Sequence, residues 1–241
     1  VPTVRYKWQP RKIEMAAYQL ATTYAEMVDR AQAIALVCLG LRDKHKYVPD
    51  VIFGHIGWGE TLLLKDVWPT AKLLLYSEFF YDSGLSDFDT EFEANDFSNK
   101  IWIRSRQSHL LQAIHTADRF LAPTAWQAGT FPAPARSRMS VIHDGIDTAA
   151  IQPDSGARFE VAGTPHVFKA GDEVLTFVGR ALEPYRGFHV IMRALPEILR
   201  QRPNAHCLIV GRDDVSYGSK PAAGGTWRDV MMAEVGHRLP M

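Results

Sequence analysis

Short runs of consecutive apolar residues, each shut off by a glycine or a small polar residue, constrain this chain more than any other feature. Val51-Ile52-Phe53 stops at Gly54, Lys72-Leu73-Leu74-Leu75-Tyr76 at Ser77-Glu78, Val174 to Val178 at Gly179, and Cys207 to Val210 at Gly211. Unbroken runs of this kind fit central strands of a parallel sheet better than half-exposed antiparallel strands, which alternate. Parallel strands need crossover connections, so helices are expected between the runs.

The intervening segments meet that expectation. From Arg11 to Cys38 the positions Ile13, Ala17, Leu20, Tyr24, Met27, Ala31, Ile34 and Cys38 recur at helical steps, predicting one long helix or two in succession. Gly59 to Trp68 predicts a crossover helix that stops before Pro69. Ser98 is the expected cap of a helix reaching Thr116, followed by a strand over 119–122, a short helix from Thr124 and a strand over 140–142. Asp82 to Asp96 carries six acids and no Lys or Arg and reads as a solvated loop. Asp144 to Gly171, with four glycines and two prolines, reads as a linker. A second alternation follows, with a helix over 187–200 that Pro196 should kink. The fold class is therefore α/β, with two Rossmann-like doubly wound domains over 1–150 and 172–241 joined by a linker over 151–171. The first lacks an opening strand, and the second offers only two strands.

Composition excludes several classes. Among 241 residues, 46% are hydrophobic, and Lys+Arg and Asp+Glu both number 27, so the net charge is zero. A core can be buried, and a nucleic-acid partner is not expected. Cys38 and Cys207 lie far apart without metal-ligand neighbours, so neither a disulfide nor a zinc site is expected. No window of 18 uncharged apolar residues exists, and the first residues are too polar for a signal peptide, which suggests a soluble cytoplasmic protein. Walker, GxGxxG, GxSxG and HExxH motifs are absent, which leaves hydrolase, metalloprotease and kinase readings without support.

Three strand ends combine a glycine with polar groups, where open α/β sheets bind ligands. At the first, Gly54, Gly57 and Gly59 permit close backbone approach beside His55, Trp58 and Glu60. His55 and Glu60 there suit hydroxyl orientation or proton transfer, although an ordinary strand-to-helix turn has the same composition. At the second, Gly179-Arg180 and Arg186-Gly187 flank a Pro-containing turn before a helix, so two guanidinium groups and helix N–H groups suit a diphosphate. Two solvated arginines on a loop are the plain alternative. At the third, Gly211 precedes Asp213 and Asp214, which suit ribose hydroxyls, although such a pair is more often a helix cap or a turn.

Val141-Ile142-His143-Asp144-Gly145-Ile146-Asp147, Thr176-Phe177-Val178-Gly179-Arg180, Arg186-Gly187 and Leu208-Ile209-Val210-Gly211, in this order and spacing, resemble the retaining nucleotide-sugar-dependent glycosyltransferases of family 4. The resemblance covers most of the chain from about residue 48. It implies a GT-B fold whose C-terminal domain holds the sugar donor and whose N-terminal domain holds the acceptor. It also implies that Arg180 contacts the donor diphosphate, with Arg186 standing where the family usually has lysine. His143-Asp144 replaces the more usual proline-asparagine. Glu78 stands near the place of a histidine that often follows that strand, so His55 and Glu78 are the candidate catalytic pair. Gly57, Trp58, Gly179, Arg180, Arg186, Gly187, Gly211 and Asp213 are the candidate substrate-binding residues.

The family's two glutamates, separated by seven residues late in the C-terminal domain, have no counterpart. The chain is therefore expected to be an internal piece of such an enzyme, inactive alone. The implied reaction is sugar transfer from a nucleotide-diphosphate donor to a saccharide or other hydroxyl acceptor with retention. No cofactor or metal is expected, and peripheral membrane contact is expected only if the acceptor is a lipid. A non-catalytic nucleotide- or partner-binding remnant of the same fold is the alternative.

Overall fold

The computed structural model describes residues 3–9, 19–82, 91–92 and 96–240. The chain divides into two compact α/β units, one comprising Val1–Ser86 and Asn95–Gly145, the other Asp87–Ala94 and Ile146–Met241.

In the first unit the order is α1 (Thr22–His45), β1 (Val51–His55), α2 (Leu64–Val67), β2 (Lys72–Tyr76), α3 (Phe97–Thr116), β3 (Arg119–Ala122), α4 (Ala125–Thr130), α5 (Ala133–Arg136) and β4 (Met139–Val141). The four strands pair in parallel in the order β1-β2-β3-β4. The apolar runs do become parallel strands, but they are not uniformly buried. Leu73, Leu75 and Phe120 are no more than 1% exposed on the face packed by helices, whereas Val51 and Phe53 are 58% and 60% exposed.

The long amphipathic pattern forms α1, which buries Met27, Ala31 and Ala35 at four-residue spacing. The first part of that pattern, residues 11–18, lies outside the described residues. Arg42, Lys44 and His45 occupy its last turn, where positive charge meets the negative end of the helix dipole. Helix α3 is capped by Asp96 rather than Ser98, because the Asp96 carboxylate accepts from the Asn99 N–H at 2.9 Å.

The expected helix over 59–68 shrinks to the single turn α2, and Gly59 explains why. Its φ is +84°, and a Cβ there would stand 2.5 Å from the Met27 carbonyl oxygen on α1. The chain is thus pressed against a helix backbone in a conformation that helical φ/ψ excludes. Asp118, just before β3, ties the neighbouring connections together. Its Oδ2 accepts from the Leu73 N–H at 2.8 Å and from Lys65 Nζ at 2.9 Å.

In the second unit, the stretch read as a linker carries an antiparallel hairpin, β5 (Arg158–Glu160) and β6 (Val167–Lys169). Strands β7 (Val174–Ala181) and β8 (His206–Arg212) pair in parallel around α6 (Phe188–Gln201), which runs through Pro196 as one helix. A further helix, α7 (Trp227–Val235), begins at a capping box in which Thr226 and Asp229 exchange hydrogen bonds. Phe188, Met192, Leu195, Trp227, Met231 and Val235 form the core.

Two residues of the acidic stretch are not merely solvated. Glu91 receives Arg193 Nη1 at 2.7 Å, Arg193 Nε also reaches Glu234 at 2.6 Å, and the Phe92 ring lies 4.8 Å from Trp227. Arg193 meets the charge of Glu91, and Phe92 adds buried ring area beside Trp227. Residues 83–90 and 93–95 of that stretch lie outside the described residues. Both cysteines are free, and among the described residues no helix is long and apolar enough to cross a membrane.

The glycine contacts generate a paired test by chemical denaturation. Gly59→Ala should lower unfolding free energy by about 3 kcal/mol, combining left-handed backbone strain with overpacking against α1. Gly40→Ala, inside α1 with nothing within 4 Å of the new Cβ, should raise it by up to about 1 kcal/mol. Equal stability of Gly59→Ala and the unaltered chain would contradict the close approach.

Candidate functional site

Parallel pairing lines up the carboxyl ends of β1 to β4 along one edge of the first unit's sheet. Strands β1 and β2 end on register partners, His55 and Tyr76. The chain leaves β2 through Ser77 and Glu78, and leaves β4 through Ile142, His143 and Asp144. Polar side chains that are far apart in sequence thereby meet on one edge.

His55 and Glu78 do come together. The Gly57 N–H donates to His55 Nδ1 at 2.9 Å, so the neutral ring carries its proton on Nε2, which lies 3.3 Å from Glu78 Oε2 and donates to it. The backbone therefore fixes the tautomer, and the tautomer orients the carboxylate. The Glu78 side chain is 59% exposed and keeps its other oxygen available to a ligand hydroxyl. Trp58, half exposed, lies 5.6 Å ring to ring from His55, and Tyr76 lies 5.7 Å away on the neighbouring strand.

Tyr76, Asp144 and His109 belong to this edge, and of the three only Asp144 lies in a sequence motif, the stretch from Val141 to Asp147. Tyr76 Oη donates to both carboxylate oxygens of Asp144, at 2.9 and 3.0 Å. Burial, then Asp144 and the Glu78 charge, push the Tyr76 phenol above its usual range, so it remains a donor at neutral pH. A tyrosine closing a strand run was the available signal for it. His109, on α3 and only 3% exposed, bonds to the Gly57 backbone, while its Nδ1 is buried without a hydrogen-bond partner among the described residues. Burial pushes its pKa down to about 4, with Arg106 adding in the same direction against that hydrogen bond. A neutral histidine thus supports the turn whose N–H sets the His55 tautomer.

The second unit presents its own carboxyl edge. Arg180 is exposed near the end of β7, and its carbonyl accepts from Arg212 Nε at 3.4 Å. Gly179 and Gly211 face one another so closely that a Cβ on Gly211 would stand 3.0 Å from the Gly179 carbonyl oxygen and 2.6 Å from the Leu182 side chain. The Arg186 guanidinium sits 5.0 Å from the centre of the Tyr217 ring, and Gly187 follows with φ +77° as the residue before α6. Asp213 is held by Arg228 at 2.9 Å, so its carboxylate is already engaged. Among the described residues no group of three or more His, Cys, Asp or Glu side chains is placed to hold a metal ion.

Glu183 has no exposed surface, yet it is fully partnered. Its Oε2 accepts from the backbone N–H groups of Ser216, Tyr217 and Gly218 at 3.0, 3.4 and 3.1 Å, and its Oε1 accepts from Ser216 Oγ. Burial alone would push this carboxyl up, but the hydrogen bonds from residues 216–218 outweigh it and hold the group below the usual range.

His109 generates a pH prediction. Its folded pKa of about 4 lies below the ordinary value of 6.5, so the unfolded chain binds its proton first as pH falls. Stability from this residue is complete above about pH 6.5 and is lost progressively towards pH 4, at most about 1.4 kcal/mol per pH unit. Denaturant unfolding of the unaltered chain and of His109→Gln between pH 7 and pH 4.5 should show that slope in the first and its reduction in the second. Identical slopes would contradict the neutral, buried histidine.

Residues 1–151 match the Glycosyl transferase family 4 group. The D-inositol 3-phosphate glycosyltransferase of Segniliparus rotundus is 29% identical over 105 residues, which is 42% of this chain and 22% of that protein. Spore coat protein SA of Bacillus subtilis is 29% identical over 84 residues, 34% of this chain and 22% of that protein. The matched segments thus span about a fifth of each relative's length. With the family match extending over 151 of 241 residues, and with parallel α/β units carrying polar residues at their strand ends, this chain belongs to the glycosyl transferase family 4 group.

Proposed function

We propose that the protein transfers a sugar from a nucleoside-diphosphate donor to a hydroxyl acceptor with retention of configuration, in the cytoplasm. The observation that carries this reading is the division of chemistry between the two carboxyl edges. The first unit carries a hydrogen-bonded His55–Glu78 pair beside Trp58 and a Tyr76–Asp144 pair. The second carries Arg180 and Arg186 on either side of one turn.

Each edge suits one partner in the reaction. The bond between the anomeric carbon and the diphosphate oxygen breaks while the acceptor oxygen bonds to that carbon on the same face, the acceptor's proton passes to the Glu78 carboxylate, and the leaving diphosphate takes the bonding electron pair as negative charge. Guanidinium groups of Arg180 and Arg186 meet that charge, and Arg186 can offer two parallel N–H donors where a lysine offers a point charge. On the acceptor side, the free oxygen of Glu78 receives the acceptor hydroxyl, while His55 Nε2–H fixes the carboxylate's direction. Trp58 offers an apolar ring to a sugar face. The similarity to a protein named as an inositol phosphate glycosyltransferase supports a polyhydroxylated acceptor.

Steady-state kinetics with nucleoside-diphosphate sugars test both halves. Arg180→Ala should lower kcat/KM by about 10²-fold, the scale of losing one donor to a developing oxyanion. Glu78→Gln should lower kcat by about 10²-fold with little change in donor KM, as expected of a group acting on the acceptor hydroxyl. Unchanged turnover in Arg180→Ala would remove the diphosphate role, and unchanged kcat in Glu78→Gln would remove the acceptor role.

A further inference from the structure

Glu183 joins two loops that no motif connects. Its backbone carbonyl accepts from the N–H groups of Arg186 at 3.0 Å and Phe188 at 3.3 Å, closing the turn that carries Arg186. Its side chain gathers three successive N–H groups and one hydroxyl from Ser216 to Gly218, the turn that carries Tyr217. Such a run of N–H groups is an anion cradle, and here the anion is an internal carboxylate. The two turns meet where the Arg186 guanidinium lies 5.0 Å from the Tyr217 ring centre, with Tyr185 6.1 Å from the same ring.

Burying an unexposed carboxylate is costly unless its oxygens are satisfied, and this one spends all its hydrogen bonds on loop 216–218. A fold that needed only a core would place a leucine there at lower cost. What the carboxylate secures is the place of Tyr217, which is 56% exposed and contributes little to the core. A flexible arginine free in solution loses rotamer freedom when it binds phosphate, whereas one already resting on an aromatic face has lost part of it beforehand.

We propose that Glu183 is a positioning residue for phosphate binding: it seats Tyr217, and the Tyr217 ring holds Arg186 at the carboxyl edge of β7. This inference rests on the donor-site reading of Arg180 and Arg186. It assigns Glu183 no contact with substrate. It also explains why the exposed Tyr217 sits on a rigidly hydrogen-bonded turn and not on a loose one.

The test is the Kd of UDP, GDP and ADP, measured by isothermal titration calorimetry on the protein and its variants. Tyr217→Ala, at an exposed position that does not threaten folding, should weaken binding about fivefold, and Tyr217→Phe, which keeps the π face, should restore it to within about twofold. Glu183→Gln should weaken binding at least as much as Tyr217→Ala. Combining Glu183→Gln with Tyr217→Ala should add nothing further, because both act through the same ring. Should Arg186→Ala weaken binding while Tyr217→Ala leaves it unchanged, Arg186 works without its ring and the inference about Glu183 is overturned. Additive effects in the double variant would overturn it as well. Should none of the three nucleotides bind the unaltered protein, or should neither Arg180→Ala nor Arg186→Ala weaken binding, the donor-site reading itself falls.

Discussion

Parallel strand pairing is the constraint on which the rest of this molecule depends. Because β1 to β4 all run the same way, their carboxyl ends share one edge, and His55, Tyr76, Glu78 and Asp144 meet there although 89 positions separate the first from the last. The same rule brings Arg180 and Arg212 to one edge in the second unit. An antiparallel arrangement of the same strands would have sent alternate strand ends to opposite edges. Chemistry at these edges is therefore a consequence of topology before it is a consequence of any one residue.

Topology assembles the groups, and buried polar residues then fix their geometry. His109 holds the Gly57 turn from inside the core, and the Gly57 N–H in turn selects which nitrogen of His55 carries the proton. Glu183 performs the equivalent task in the second unit through residues 216–218. In both cases a group that would be costly to bury alone is fully or partly satisfied by backbone, and the gain is a defined direction for a side chain at the surface. Asp118 works on the scaffold in the same way, with one carboxylate joining the β2 backbone to Lys65 of α2.

Much of this architecture was legible in the residues themselves. The apolar runs marked β1, β2, β7 and β8 because local hydrophobicity and parallel pairing have a direct relation. The Leu62-Leu63-Leu64 cluster and the stop at Pro69 suggest a helix over 59–68, while the contact that opposes helical backbone at its start, Gly59 against Met27, is tertiary. Glu91 and Phe92 were read by their acidic surroundings, and only a partner 102 positions away, Arg193, shows them to be anchored. The hairpin over 158–169 and the helix α7 escaped because short or mixed segments carry weak periodicity. Strand ends and motif order single out His55, Glu78, Arg180 and Arg186 as candidates, and the structure puts His55 beside Glu78. Tyr76, His109, Glu183 and the pairing of Asp144 with Tyr76 were not, since each acts through a long-range hydrogen bond that spacing does not encode.

Retention is measured most directly by proton NMR of the anomeric signals while the protein is incubated with α-linked nucleoside-diphosphate sugars and polyhydroxylated acceptors. The proposed reaction releases the nucleoside diphosphate and gives a product whose first-formed anomeric proton shows the same α configuration as the donor. A product of inverted configuration, or a panel of donors none of which is consumed, would contradict it.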